Sequence, residues 1–478
     1  MRVSWHTLAN AASVALLIPI CGFGPGAAQS PSAKIGADYI VTAAPVYEPL
    51  AELRGRERFP EGAQLLLVHE SHAEQLVPGF AASADANISF DGATVLFAGK
   101  KNANDRWQIW ELTLSDRSVR KVIETGADAE RPFYLPGGRM VWAQRTAHGF
   151  QLESAEIGGN SSQASPPTTA AILPLVYTQA NSFPADVLKD GRILFESGFP
   201  LGSGSTPELY LVYSDGSGVE SYRCDHGSPR WGGHQLSAGD VVFTHGSSLA
   251  RFTSPLDHEE PIAAPSANYV GAITETPSGA WLVSARAYDG PHYQIKLWEP
   301  GAASKSGPAS LRTVLARRGE DLVDPVLLAS RTRPNRHPSA LHPWDYANLL
   351  ALDARISRDG VLKGTPVAVR LESQTASGDA VIMGTAPVEP DGSFFVKVPC
   401  DKPIRFALLD AKGAVLRRER GWFWSRGGEQ RICVGCHTGP ERASENRVPA
   451  VLLHTTTPVD LTRSIPSHGA PRTSSGGL

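Results

Sequence analysis

No apolar run in this 478-residue chain reaches the length of about 20 residues that a membrane-spanning helix needs. The longest, from about Ala11 to Ile20, is half that. Charge of either sign is not in excess: 45 Lys and Arg stand against 48 Asp and Glu, for a net charge of −3. A basic surface for nucleic acid is therefore not expected, nor a like-charge block for a membrane surface. No G-x-S-x-G elbow is present, so a serine hydrolase is unsupported. No glycine-rich phosphate loop appears either; Gly202-Ser203-Gly204-Ser205 is a plain loop. His69-Glu70-Ser71-His72 is not H-E-x-x-H and follows a strand, so it is not expected to hold a metal. Cysteine is scarce: Cys21, Cys224 and Cys400 are single, and only one C-x-x-C exists, which leaves structural zinc without a second pair of ligands.

That one pair is Cys433-Val434-Gly435-Cys436-His437. Two thiols three positions apart with a histidine directly after is the c-type haem attachment pattern. Each thiol adds to one haem vinyl group, and the following imidazole then reaches the iron from one face. A thioredoxin-like redox pair would sit near a βαβ pattern, and nothing parallel-stranded surrounds this one. One covalently attached haem c is expected, on Cys433 and Cys436, with His437 as proximal iron ligand.

The amino terminus reads as a secretory signal over 1–28: Arg2, the apolar run, then Gly26-Ala27-Ala28 before Gln29. Bulky Ile20 before Cys21 argues against a lipoprotein site. Haem c is attached on the oxidising side of a membrane, so signal and motif support each other, and a periplasmic or otherwise exported protein is expected. Cys224 and Cys400 fall in different expected domains and are taken as buried free thiols.

Glycine (46) and proline (37) are plentiful, which favours turns over long helices. A turn-then-strand unit recurs: Ser89–Phe97, Pro132–Trp142, Val187–Phe195, Leu236–Phe243 and Thr276–Val283. Its turn glycines Gly92, Gly138, Gly191, Gly239 and Gly279 are 46, 53, 48 and 40 residues apart. Asp-Gly between alternating apolar residues is a tight-turn signal because the turn needs positive φ. Further strands follow several copies, at Trp107–Leu112, Glu208–Val212 and Tyr293–Trp298. Four short strands per 40 to 53 residues is the pattern of a propeller blade. Five blades are visible. Gly62–Val68 and the run from Leu322 to Leu328 complete a sixth or seventh.

An all-β fold is thus expected: a propeller of six or seven blades over 60–330, a linker over 331–344 and a small β-sandwich over 345–428. A haem-binding segment over 429–454 and a disordered tail over 455–478 follow. Trp422-Phe423-Trp424 either walls a porphyrin or closes the sandwich core.

Only 41 residues follow His437 and none is methionine; Met140 and Met383 lie in the propeller and the sandwich. The haem therefore lies against other domains. Its sixth position is left to His454, to His342, His337, His226, His69 or His72, or to an open site. Arg442 and Arg447 are candidate partners for the haem propionates, against a reading as ordinary surface arginines.

The Asp-Gly repeat resembles the TolB-like propeller repeat. Together with Pro387–Pro399 and Cys433–Arg447, the chain is similar to proteins carrying the hydrazine synthase alpha subunit middle domain, which join a propeller to a C-terminal c-type haem. The resemblance covers roughly 60–455 and implies Cys433 and Cys436 as thioether sites and His437 as iron ligand. It implies a second, catalytic haem in an N-terminal part, where this chain has no C-x-x-C-H, so hydrazine synthesis does not carry over. The expected role is electron transfer within a periplasmic redox assembly, with redox partner proteins, no nucleic acid and no membrane-integral part. The alternatives are a haem oxidoreductase acting on a small nitrogenous or other small substrate at an open iron position, and a binding scaffold with a structural haem.

Overall fold

The computed structural model describes residues 35–70, 72–158, 171–198, 206–223, 229–254, 257–300, 310–357, 360–435 and 446–463. Among the described residues the secondary structure is almost wholly β, in eight four-stranded sheets. The expected signal segment 1–28 lies outside them.

Five sheets are antiparallel meanders of consecutive strands, beginning with Ala82–Ile88, Ala129–Leu135, Asn181–Val187, Arg230–Gln235 and Asn268–Glu275. In each, one of the five repeat glycines turns the first strand into the second, at φ of 77°, 73°, 87°, 108° and 81°. A side chain at such φ collides with its own backbone, which is why glycine recurs there. A sixth sheet is built from both ends of this region, in the order Asp321–Leu327, Tyr39–Ala44, Gln64–His69, His72–Gln75. The two segments expected to complete another blade thus share one sheet, with Tyr39–Ala44 between them. That strand lies upstream of the boundary at residue 60 expected from sequence.

Asp321–Leu327 and the first strands of the five meanders each contact the next, and the last returns to the first. These six strands form a closed ring around an axis. Each is bulged part-way along. Five bulges hold a left-handed residue: Asp85, Arg131, Gly232, Gly271 and Asp324, at φ of 61°, 50°, 64°, 67° and 53°.

Two further sheets face each other. One runs Gln430–Cys433, Tyr346–Ala351, Phe394–Pro399, Val459–Asp460; the other runs Ala380–Pro387, Ala368–Gln374, Ile404–Leu409, Val415–Arg418. Leu349, Val369, Leu371, Phe394, Val396 and Leu408 fill the space between them. Each such side chain contributes about 1.5–3 kcal/mol by leaving water. One expectation changes here. The tail is not disordered from residue 455: Val459 and Asp460 pair in parallel with Val396 and Lys397, and Leu461 is buried in this core. The first cysteine of the motif ends a sheet strand and packs on this core.

The aromatic run is placed between the two parts. Trp424 is buried among Leu135, Leu175, Val187 and Phe195 of the ring, and its Nε1 donates to the Gly216 carbonyl at 3.1 Å. Phe423 packs on both cores.

Candidate functional site

The strand Gln430–Cys433 lies at a sheet edge, parallel to Tyr346–Ala351, with Gln430 opposite Asn348 and Cys433 opposite Ala351. Strand geometry turns alternate side chains to opposite faces. Ile432 is accordingly 66 % exposed, while Arg431 and Cys433 share the inner face. Cys433 is a free thiol packed against the two-sheet core. Burial pushes that thiol up, and the adjoining Arg431 guanidinium pulls the other way. Arg431 is fixed in turn: its Nη2 donates to the Val219 carbonyl at 2.7 Å, and its guanidinium stands 5.0 Å over the Phe423 ring. Sequence reasoning missed Arg431, although a period of two places it beside Cys433.

The chain beyond Cys433 leaves and returns at one residue. Leu352 N–H donates to the Cys433 carbonyl at 2.8 Å. The Leu352 carbonyl accepts Arg447 Nη2 at 3.3 Å. The described chain on either side of 436–445 is thus tied to Leu352. Cys436, His437 and Arg442 lie outside the described residues.

The returning stem is held by Asp391, in the Pro390-Asp391-Gly392 turn. Its Oδ1 accepts from Ser393 N at 2.9 Å and Ser393 Oγ at 2.6 Å. Its Oδ2 accepts from Ala450 N at 2.8 Å and from Arg447 Nη1. Ser393 Oγ also accepts from Val451 N at 3.1 Å. Asp391 and Ser393 thus cap, from the turn before Phe394–Pro399, the free N–H groups that open the short helix Ala450–His454. Burial alone would raise the Asp391 carboxyl, but the bonds from Ser393, Ala450 and Arg447 outweigh it and hold it well below the usual carboxylate range.

Arg447, a candidate propionate partner, is thus engaged by Asp391. His454 ends the helix, with Nδ1 3.2 Å from Glu389 Oε1 and the side chain mostly exposed. His342 is stacked on Trp344 at 4.6 Å and meets Gly428, at the far end of the Gln430–Cys433 strand from Cys433. At about 3.3 Å per strand residue, that separation is roughly 16 Å. His337 stacks on Tyr213 at 3.8 Å. His69 Nδ1 meets Asp38 at 2.7 Å, His72 is exposed, and among the described residues no three His, Cys, Asp or Glu gather as a metal site. Cys400 is a free, half-buried thiol 3.2 Å from the Asp345 carbonyl. His226 and Cys224 lie outside the described residues. Met140 and Met383 are both buried in cores.

No curated protein sequence matches the chain. Among solved structures, hydrazine synthase of Kuenenia stuttgartiensis aligns with a TM-score of 0.73 at 16 % identity, over 87 % of this chain and 71 % of that one. At that identity the likeness is one of fold. TolB from Acinetobacter baumannii aligns at a TM-score of 0.44 and 13 % identity, over 60 % of this chain and 66 % of that one. Residues 359–438, which run from the paired sheets into the cysteine motif, match the family model of the hydrazine synthase alpha subunit middle domain.

Proposed function

We propose that this is an exported c-type haem protein that transfers electrons within a larger redox assembly. Its scaffold is a six-bladed propeller, closed by the sheet that joins Tyr39–Ala44 to Asp321–Leu327, with a β-sandwich docked on it through Trp424. Cys433 and Cys436 would hold the haem covalently, and His437 would ligate its iron.

One observation carries the reading: a free thiol at Cys433, at the start of a motif flanked by bare apolar side chains. Ile432, Val448 and Leu453, on either side of it, are 66 %, 60 % and 70 % exposed. Large aliphatic groups left in water beside a motif that binds an apolar macrocycle fit that group. When bound, the haem supplies one-electron redox chemistry. The chain's own residues do the rest. Leu352 ties the described chain on both sides of the motif, Asp391 and Ser393 fix the returning helix, and Arg431 fastens the thiol-bearing strand to the ring. His454 is the histidine carried by the returning stem and is the candidate sixth ligand. Partner proteins enter by the family's own name, which marks its member as one subunit among others. Among the described residues no helix is long and apolar enough to cross a membrane.

The test is expression of the full chain in cells that mature c-type cytochromes. The expected product is coloured, keeps one haem after denaturation, and shows a low-spin reduced spectrum that carbon monoxide leaves unchanged. A bare-polypeptide mass overturns haem attachment. A carbon monoxide shift overturns the electron-transfer assignment in favour of an open iron position.

A further inference from the structure

The ring of six innermost strands encloses a cavity of about 840 Å³, within the range of roughly 300–1,000 Å³ usual for small-molecule sites. Its floor is made by the loop between Tyr39–Ala44 and Gln64–His69. The short helix Glu52–Arg54 of that loop drives Leu53 into a pocket of Ala143, Phe150 and Phe183. Asn181 Nδ2 holds the Leu53 carbonyl at 2.9 Å. At the floor, Arg58 meets Asp85, Asp324 at 3.4 Å and Glu52 at 3.7 Å, and Arg131 meets Glu52 and Glu196. Four carboxylates therefore share two guanidinium groups.

The lining contains five carboxylates (Glu52, Asp85, Asp186, Glu275, Asp324), three permanent cations (Arg131, Lys189, Arg331) and His234, whose Nδ1 lies 3.0 Å from Asp186. Adding Arg58 and Glu196 behind the floor leaves a deficit of two positive charges with a neutral His234, and of one with a charged His234. Burial, the largest influence on both groups, pushes the Glu52 and Asp324 carboxyls up, a cost of charging them that a cation beside them would offset.

One lining carboxylate also keeps an unpaired oxygen: Glu52 is 2 % exposed and its Oε2 has no hydrogen bond. A buried donor or acceptor left unpaired costs about 1–3 kcal/mol, a cost a ligand can remove. Four of the seven non-glycine residues with positive φ, Leu50, Asp85, Arg131 and Asp324, line this one cavity. Above the floor the wall turns apolar, with Ile88, Phe133, Val187, Ile273 and Val326.

From the cavity, the charge deficit and the unpaired Glu52 oxygen we infer that the propeller axis is a binding site for a small organic ammonium ion with an apolar body. The head sits at the Glu52 floor, where Oε2 accepts its N–H, and the body lies along the aliphatic wall. The site is independent of the haem motif.

The test is calorimetric titration of the full chain with n-hexylammonium chloride, with sodium hexanoate and hexanol as matched probes. Hexylammonium is expected to bind once per chain and at least tenfold tighter than the other two. Ala272→Phe, which adds bulk to a lining residue that is not part of the ion network, abolishes the binding. Glu52→Gln weakens it at least tenfold. Should either variant fail to fold, the wild-type comparison still decides. Absence of saturable hexylammonium binding, equal binding of hexanoate, or binding that persists in a folded Ala272→Phe overturns the site.

Discussion

The Leu352 main-chain N–H donates to the Cys433 carbonyl at 2.8 Å, and the carbonyl of the same residue accepts from Arg447. One position at the end of a buried strand therefore holds the described chain on both sides of the motif. Those anchors belong to the paired sheets, so changes in the sheet turns should be felt at the motif.

The Asp391 turn is the first such place. Asp391→Asn should destabilise the protein by about 0.5–2 kcal/mol, the usual cost of losing a helix cap, and release Arg447. The carboxyl's folded pKa lies below its unfolded value of about 3.9. The native state therefore binds fewer protons, and the contribution is fully present above the unfolded value and lost as pH falls toward the folded one. Urea midpoints compared from pH 7 to pH 3 for wild type and variant should differ most near neutrality and begin to draw together below about pH 4. Parallel curves would remove Asp391 as the titrating group.

The repeat glycines do two different jobs. Gly239, at φ 108°, faces open space, so Gly239→Ala should cost only the left-handed strain of about 1–2 kcal/mol. Gly191, at φ 87°, also lies under the 331–344 segment: an added Cβ would fall on the Asn335 carbonyl oxygen. Gly191→Ala should therefore cost more and expose the segment after residue 331 to limited proteolysis. Equal stabilities would mean the segment does not press on that turn.

These turns were legible in the sequence because positive φ leaves a residue-type signature. Tyr39–Ala44 was not, because no Asp-Gly turn follows it; its partner Asp321–Leu327 lies at the other end of the ring. Leu461 was hidden by the Thr- and Pro-rich composition around it, and its burial comes from a core assembled by distant strands. The left-handed Asp85, Arg131 and Asp324 carry no glycine signature, since ion pairs across the ring hold them. At the motif, Cys433 and its spacing were plain, whereas the role of Leu352 is main-chain and leaves no mark on side-chain type.

Cys433 and Cys436 should each carry one thioether. Cys433→Ser is expected to leave haem attached through one sulfur, with lower yield because the thiol also packs against the core. The double serine variant should hold no haem after denaturation, and Cys400→Ser should behave as wild type. Intact mass and haem staining of denatured protein check all three. Haem retained by the double variant would falsify the covalent assignment.

Trp424 tests whether the two parts act as one body. Its indole is fully enclosed by ring residues although it belongs to the stretch leading into the motif, and its Nε1 is bonded to Gly216. Around it, Arg426 Nη1 reaches the Pro174 carbonyl at 3.2 Å, and Glu429 Oε1 accepts from Gly218 N at 3.2 Å. Trp424→Ala should cost about 3–5 kcal/mol, because the cavity it leaves is walled by strands that cannot collapse. Trp424→Phe keeps most of the apolar contact and loses one hydrogen bond, leaving the Gly216 carbonyl unpaired, for about 1–3 kcal/mol. The distribution of that loss matters more than its size. If the tryptophan couples ring and paired sheets, Trp424→Ala should split a single calorimetric transition into two, with the earlier one accompanied by loss of the low-spin haem spectrum. A single transition shifted downward, with the haem signal lost only at the end, would mean the polar contacts of Arg426, Glu429 and Arg431 suffice to hold the parts together.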